Sequence, residues 1–256
     1  MKVLGVDIGG SEIKAAPVDT ASGEILSQVS RMATPASPTP QHICRVVRDL
    51  VDGFSWVGPI GCAFPGPIVG ARVQDHGFLH ESWAGRDIEA DLLEATARPV
   101  TVLNDADAAG IAEVHLGGPE LKTGTVLVLT FGTGIGSALF VDGHLLPNTE
   151  FGTLILEEGV AEEYASARIR STEQLSDEVW VTRVSAYINH VGSLIYPARI
   201  VLGGGISSRW SEFCLLLDVD FHVQPAVFLG DAGIVGAALS ASGVLTQLDW
   251  SPARVS

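Results

Sequence analysis

Lysine is nearly absent from this chain. Only Lys2, Lys14 and Lys122 occur in 256 residues, and with the arginines they give 15 basic side chains against 30 acidic ones, a formal charge of −15. Such a surface repels polyanions on average, which disfavours a nucleic-acid partner. Cysteine is equally scarce. Cys44, Cys62 and Cys214 are an odd number at wide spacing, which argues against a disulfide framework and against a zinc site. No apolar run of about 18 residues is present, and no basic segment with a long apolar stretch behind it precedes the first strand signal. Membrane insertion and secretion are therefore not expected, and a reduced cytoplasm suits the chain. Hydrophobic residues still make up 46%, enough to bury a substantial core in one large domain or two small ones.

What the chain does have is a repeat. Val3-Leu4-Gly5-Val6-Asp7-Ile8-Gly9-Gly10-Ser11, running on to Val18-Asp19, aligns without a gap with Val126-Leu127-Val128-Leu129-Thr130-Phe131-Gly132-Thr133-Gly134, running on to Val141-Asp142. Each copy reads as an apolar strand, a turn rich in glycine and hydroxyl, and a second apolar strand; self-similarity of this kind fixes architecture. Two such hairpins can grip one phosphate chain from both sides, which points to a two-lobed phosphotransferase. Strand signals at 2–7, 13–19 and 24–30 form an antiparallel meander, and apolar residues at helical spacing over 43–54 cover one face of it. Ile60 to Phe64 and Val100 to Leu103 read as buried strands ending in Pro65-Gly66-Pro67 and Asn104-Asp105. A helix over 106–116 is broken by Gly117-Gly118-Pro119, a candidate crossing between lobes. The meander then recurs at 125–131 and 135–141, with a short strand after Asp142-Gly143. Helical patterns at 159–168 and 176–196, a strand at 199–202, Gly203-Gly204-Gly205, a helix and a final helix at 232–241 follow. From about Asp249 the chain reads as a frayed tail. The expected organisation is an α/β lobe over 1–115 and a second over 116–256, with the last helix free to pack back on the first.

The candidate chemistry lies at the strand ends. Asp7 closes an apolar strand just before a turn whose N–H groups can point at an anion, and it would hold a hydrated magnesium ion, because two negative groups need a cation between them. Gly9, Gly10, Ser11 and Lys14 complete this first phosphate loop. Gly132, Thr133 and Gly134 form the second; their spacing mimics a dinucleotide fingerprint, but the apolar Ser137-Ala138-Leu139-Phe140-Val141 that follows reads as a strand rather than the required helix, so NAD is disfavoured. Either turn taken alone also reads as an ordinary hairpin. Asp105, where a buried strand meets a helix, is the carboxylate placed to accept the proton of an attacking hydroxyl, although an acid there can equally cap the helix. Asp107 reads as an acid complementing the helix dipole. Glu150 and the Glu162-Glu163 pair are candidate hydroxyl acceptors, Gly66 joins them on the acceptor side, and Gly203-Gly204-Gly205 is either a flat bed for a nucleotide or phosphate tail or a plain strand-to-helix turn.

Asp7-Ile8-Gly9-Gly10-Ser11, Leu103-Asn104-Asp105-Ala106-Asp107-Ala108-Ala109-Gly110, Leu129-Thr130-Phe131-Gly132-Thr133-Gly134-Ile135-Gly136, Pro147-Asn148-Thr149-Glu150-Phe151-Gly152, Leu202-Gly203-Gly204-Gly205-Ile206-Ser207 and Ala232-Gly233-Ile234-Val235-Gly236-Ala237-Ala238 occur in an order that resembles the polyphosphate glucokinase branch of the ROK sugar kinases. The resemblance implies a two-lobed hexokinase-like, actin-like (ribonuclease H-like) fold with a duplicated β-meander, usually in a homodimer. It also implies phosphorylation of the 6-hydroxyl of glucose or a related hexose from polyphosphate, ATP or both, with magnesium. On this resemblance Asp105 matches the general base, Asn104, Glu150 and Glu162 match sugar ligands, and Asp7, Gly9, Gly10, Thr133 and Gly134 match the phosphate loops. The cysteine cluster that binds zinc in many other members of the family is missing, as is an N-terminal helix-turn-helix. Thr153 stands where the family carries a sugar-touching His after Glu-Phe-Gly; it keeps a hydroxyl but loses reach, at about 1–3 kcal/mol for one buried contact. Phe78 and His80 replace an Asn and an Asp before Ser82-Trp83, and Arg168, Arg170 and Arg183 are the remaining candidates for a polyphosphate track. The alternative class is a non-catalytic sugar-binding or regulatory protein, favoured by Thr153 and Phe78 and opposed by the presence together of Asp7, Asn104, Asp105, Thr133 and Glu150.

Overall fold

Two mixed sheets with the same strand order make the framework. The structure is a computed structural model and describes residues 1–156 and 159–243. The first sheet is built from β1 (Lys2–Ile8), β2 (Glu12–Asp19), β3 (Glu24–Ile25), β4 (Ser30–Ala33), β5 (Ile60–Phe64) and, after a small hairpin of β6 (Ile68–Val69) and β7 (Arg72–Val73), β8 (Val100–Asn104); its order is β3-β2-β1-β5-β8, with β4 also on β2. The second is built from β9 (Thr125–Phe131), β10 (Ile135–Val141), β11 (His144–Leu146), then, past the short pair β12 (Ile155–Leu156) and β13 (Gly159–Val160), β14 (Arg199–Gly204) and β15 (Val223–Pro225), in the order β11-β10-β9-β14-β15. In both, an antiparallel hairpin is extended by two parallel strands.

Helices fill three layers. α1 (Pro40–Gly53) and α2 (Ile88–Thr96) cover the outer face of the first sheet, where Ile43, Val47 and Leu50 meet Val6, Ile60 and Phe64. α4 (Ala161–Ala165), α5 (Ala167–Thr172), α6 (Asp177–Ile195), α7 (Gly205–Ser208) and α8 (Trp210–Phe213) lie against the second, around Phe131, Trp180, Tyr187 and Phe213. Between the sheets run α3 (Asp105–Leu116) and α9 (Ala232–Ala241), packed with Val3, Val18, Val128 and Phe140. These two helices are rich in Ala and Gly because their backbones nearly touch: a methyl group on Gly236 would collide with the carbonyl of Ala108. α9, the last described helix, lies on β1 and β5 as well as on α3.

Two expectations change in detail. The single strand read over 24–30 is two short ones, because Pro17 in β2 has no N–H to give; β3 pairs with Val18 and Asp19 and β4 with Glu12 to Ala15, leaving a break between them. The helix read over 159–168 is interrupted at Ser166, whose extended backbone ends α4 and whose hydroxyl accepts the Ile169 N–H to start α5. The tail from Asp249 lies outside the described residues.

Candidate active site

The carboxyl ends of β1, β5, β8 and β9 open, with the start of β10, into one cavity of about 770 Å³. Asp7, Gly9, Gly10 and Lys14 reach it from the first hairpin and Gly132, Thr133 and Gly134 from the second; Gly66, Asn104, Asp105, Glu150, Thr153, Glu162 and Gly204 complete the set of sequence-derived candidates that line it. Ser11, Gly203 and Gly205 are not among the lining residues. Ser11 is exposed and its carbonyl accepts the Thr34 N–H, while only Gly204 of the glycine triplet, at φ +81° with its Cα against Phe131, turns to the cavity.

The two turns differ in length. Ile8 faces Ile13 across the first hairpin and Phe131 faces Ile135 across the second, so four residues make the first turn and three the second. In each, one N–H is used internally, Gly9 to the Glu12 carbonyl and Gly132 to the Gly134 carbonyl, both at 3.0 Å. Among the described residues the N–H groups of Gly10, Ser11, Thr133 and Gly134 donate to nothing, the arrangement that an anion completes.

Asp7 Oδ2 is held 2.8 Å from Lys14 Nζ, which also donates to the Gly230 carbonyl at 2.9 Å just ahead of α9. Asn104, 5% exposed, is the N-cap of α3: its Oδ1 accepts the Asp107 N–H at 3.0 Å. This corrects the alternative that Asp105 caps the helix. Asp105 is the first helical residue, its Oδ1 accepts the neighbouring Ala106 N–H at 2.8 Å, and burial, followed by the charge of Asp7, pushes its carboxyl up to about 7. Glu150 is also raised, by burial and then by Glu162 and Asp75. Its segment is pinned to β10, where the Ser137 hydroxyl donates to the Thr149 carbonyl at 2.7 Å and accepts the Phe151 N–H at 3.0 Å. Glu162 Oε2 lies 3.4 Å from the Ile135 N–H beside the second turn, whereas Glu163 is exposed and outside the cavity. The Thr153 hydroxyl donates to the Glu150 carbonyl at 2.7 Å.

Phe78 lies in the cavity wall, 55% exposed, between the two turns; His80 does not, since its Nδ1 accepts the Ser82 N–H in a local turn. Of the three arginines, Arg170 is paired with Asp177 and Arg183 with Glu173, and both lie over aromatic rings. Arg168 is exposed beside the second turn, with Nε donating to the Thr133 carbonyl at 3.0 Å. Asp75 is a cavity residue that the sequence does not announce: it sits in a polar turn where its Oδ1 accepts the Gly77 N–H. Asp107 is more than an ornament of the helix dipole. It is 1% exposed, and its Oδ2 accepts the Asn148 N–H at 2.8 Å. The thiols of Cys44 and Cys62 are buried and pushed up by desolvation, which leaves them inert. No helix among the described residues is long and apolar enough to cross a membrane.

Comparison with known proteins agrees with this geometry. A family model described as the ROK family matches residues 3–152. A polyphosphate glucokinase of Mycobacterium tuberculosis (strain CDC 1551 / Oshkosh) is 37% identical over 238 residues, 93% of this chain and 90% of that protein. The solved inorganic polyphosphate/ATP-glucomannokinase of Arthrobacter sp. strain KM has a TM-score of 0.90 at 40% identity, over 94% of this chain and 98% of that one. A ROK family glucokinase from Streptomyces griseus, solved with glucose and AMPPNP, has a TM-score of 0.79 at 25% identity, over 94% and 99%. The actin-like, hexokinase-like α/β fold expected from the sequence is therefore the fold observed, and the chain belongs to the ROK family.

Proposed function

We propose that this chain is a cytoplasmic sugar kinase that moves the terminal phosphoryl group of polyphosphate, ATP or both onto the 6-hydroxyl of glucose or a related hexose. The observation that carries this reading is the meeting of Asp105, Asn104 and Glu150 with both glycine turns on one cavity. The names of the two relatives above, a polyphosphate glucokinase and a polyphosphate/ATP-glucomannokinase, support the choice of acceptor and donor.

Asn104, through its side-chain amide, and Glu150 and Glu162 hold sugar hydroxyls, and Thr153 lies beside them. The Asp105 carboxylate takes the proton of the 6-hydroxyl as that oxygen bonds to the terminal phosphorus and the bridging P–O bond of the donor breaks, so the proton ends on Asp105 and the shortened donor leaves with the bond pair. The free N–H groups of the two turns face the oxygens of the moving group, where they stabilise charge without reorganising. Gly204 lets the donor tail lie close to the backbone.

Among the described residues five carboxylates, Asp7, Asp75, Asp105, Glu150 and Glu162, line the cavity with Lys14 as the one basic side chain, and Lys14 is already paired. An anionic donor needs a further cation there. Asp7 fits a magnesium ion held through water, since its Oδ1 makes no hydrogen bond among the described residues, and such an ion would neutralise donor oxygens. Residues 1–115 and 116–256 act as two lobes whose closure excludes water, and the reading includes a homodimer, which light scattering of the full chain tests.

The deciding experiment is release of sugar 6-phosphate with magnesium from glucose, mannose and glucosamine, each against polyphosphate and ATP. Product from any pair supports the reading and names acceptor and donor together. A folded protein that binds a sugar and turns over none would be a sugar-binding protein instead.

A further inference from the structure

Four hydrogen bonds meet at one place behind the cavity. Asn104 Oδ1 accepts the Asp107 N–H at 3.0 Å; Asp107 Oδ2 accepts the Asn148 N–H at 2.8 Å; Asn148 Oδ1 accepts the Ile68 N–H at 2.8 Å, and Asn148 Nδ2 donates to the Ile68 carbonyl at 2.9 Å. Asn148 thus pairs with Ile68 as a strand residue would, across 80 positions of sequence. Its backbone is at φ +60°, the left-handed region that Asn tolerates better than most residues.

Each arm of this junction leads to a different wall of the cavity. Asn104 and Asp105 lie at the head of α3. Gly66 lies two residues before Ile68, at the exit of β5. Glu150 lies two residues after Asn148, and Ser137 fixes the far side of that segment. Asp107 is buried, 1% exposed, with its Oδ1 lacking a hydrogen-bond partner among the described residues, while Asn148 and Ile68 are half-buried. An acid in such a place costs stability and is not needed to start the helix, because Asn104 already caps it.

Resting on the sugar kinase reading, we infer that Asp107 and Asn148 are positioning residues: they set Glu150 against Asn104 and Asp105, so that the sugar is held where the base can reach its hydroxyl. Neither touches the reacting atoms. Both act through Glu150, and a displacement of that carboxylate by an ångström is enough to be read in sugar affinity.

The test compares the wild-type chain with Asn148→Gly, Asp107→Ala and Asp107→Asn. Glycine suits the φ of residue 148 and removes both ties to Ile68, so Asn148→Gly keeps the fold even where Asp107→Ala does not. Glucose and mannose affinities are measured by calorimetry without donor, and KM for sugar and for donor by turnover. The expected result for Asn148→Gly is sugar Kd and KM raised about tenfold with donor KM within about twofold. Asp107→Asn keeps an acceptor for the Asn148 N–H and should restore sugar affinity to within about threefold of wild type, a rescue that a merely structural role does not predict. Asn148→Gly with unchanged sugar Kd and KM overturns the inference, whatever happens to the melting temperature. A wild type that neither binds nor phosphorylates a sugar overturns the functional reading and this inference with it.

Discussion

The two hairpins align residue for residue in sequence, yet they present different chemistry to the cavity. In β1–β2, Asp7 faces Lys14 across the ladder; at the equivalent place in β9–β10, Thr130 faces Gly136. The sequence counterpart of Lys14 is Ser137, but Ser137 faces Leu129 and uses its buried hydroxyl on Thr149 and Phe151. One residue fewer in the second turn slides the register by one, and because side chains alternate along a strand, that slip exchanges the faces. The first hairpin therefore supplies a charged pair, whereas the second uses its polar side chain to hold the Glu150 segment. Both turns of the duplicated scaffold leave backbone N–H groups free, and only the first hairpin adds a charged pair.

The contrast between the two sheets is tested most severely at Asp105, which follows β8; the matching strand of the second sheet, β15, ends at Pro225 and is followed by Ala226, with no carboxylate. Asp105→Asn preserves shape and removes the proton acceptor, so kcat should fall by about 10²–10⁴-fold with sugar KM little changed. A loss of only a few fold would remove Asp105 from the role of base. The same group sets the pH response. With its carboxyl pushed up to about 7 by burial and Asp7, turnover should fall about tenfold per pH unit below that value. Stability should run the other way. A carboxyl whose folded pKa is raised binds its proton more tightly in the folded state, so its contribution is lost as pH rises through 7 and regained as pH falls. His115, lowered by burial from 6.5, opposes this only at lower pH. As pH falls from about 8 through 7 the melting temperature should therefore start to climb as the rate drops, and because burial pushes Asp107 up to about 7 as well, Asp105→Asn should remove only part of that climb. A melting temperature that falls with pH over this window would contradict the burial argument.

How far the sequence carried the reading depends on the distance over which each signal acts. The strands, the turns and the helix behind Asp105 were legible because apolar runs and glycines act within a few residues; the cap was not, since Asn104 and Asp105 are adjacent and both are good capping residues. The convergence of Asp7, Asp105 and Glu150 was legible only through the family resemblance. The register slip was hidden by the gap-free alignment, since both turns contain glycine and hydroxyl and nothing local says how many residues make the bend. Asp107 was read as an ornament of the helix dipole because its partner, Asn148, is 41 residues away and its burial comes from packing of distant segments. The break at Pro17 was open to anticipation, because a residue without an N–H inside a central strand interrupts the neighbour on one side.

The comparison sharpens at the glycines of the two turns. A methyl group on Gly134 would run into the Glu162 carboxylate, whereas one on Gly10 would stand 3.4 Å from the Phe78 Cβ, an ordinary contact. Gly134→Ala, which displaces the sugar ligand Glu162 as well as crowding the second turn, should raise sugar KM and donor KM about tenfold, and Gly10→Ala should leave both within about twofold. Equal effects would mean that both turns hold the phosphoryl group through the same close approach.

The smallest effect concerns the charged pair that only the first hairpin has. Asp7 and Lys14 are 17% and 13% exposed, and Lys14 also ties β2 to the Gly230 carbonyl ahead of α9. Removing Lys14 alone leaves a largely desolvated carboxylate beside Asp105, so Lys14→Ala should cost about 1–3 kcal/mol, a drop of a few degrees in melting temperature. Adding Asp7→Asn removes the orphaned charge, and the double variant should recover part of the loss, with a coupling of about 1–2 kcal/mol in a double-mutant cycle. Full additivity would show that solvent screens the pair despite its burial. The difference between the hairpins would then lie in their turns, not in the charge that faces the cavity.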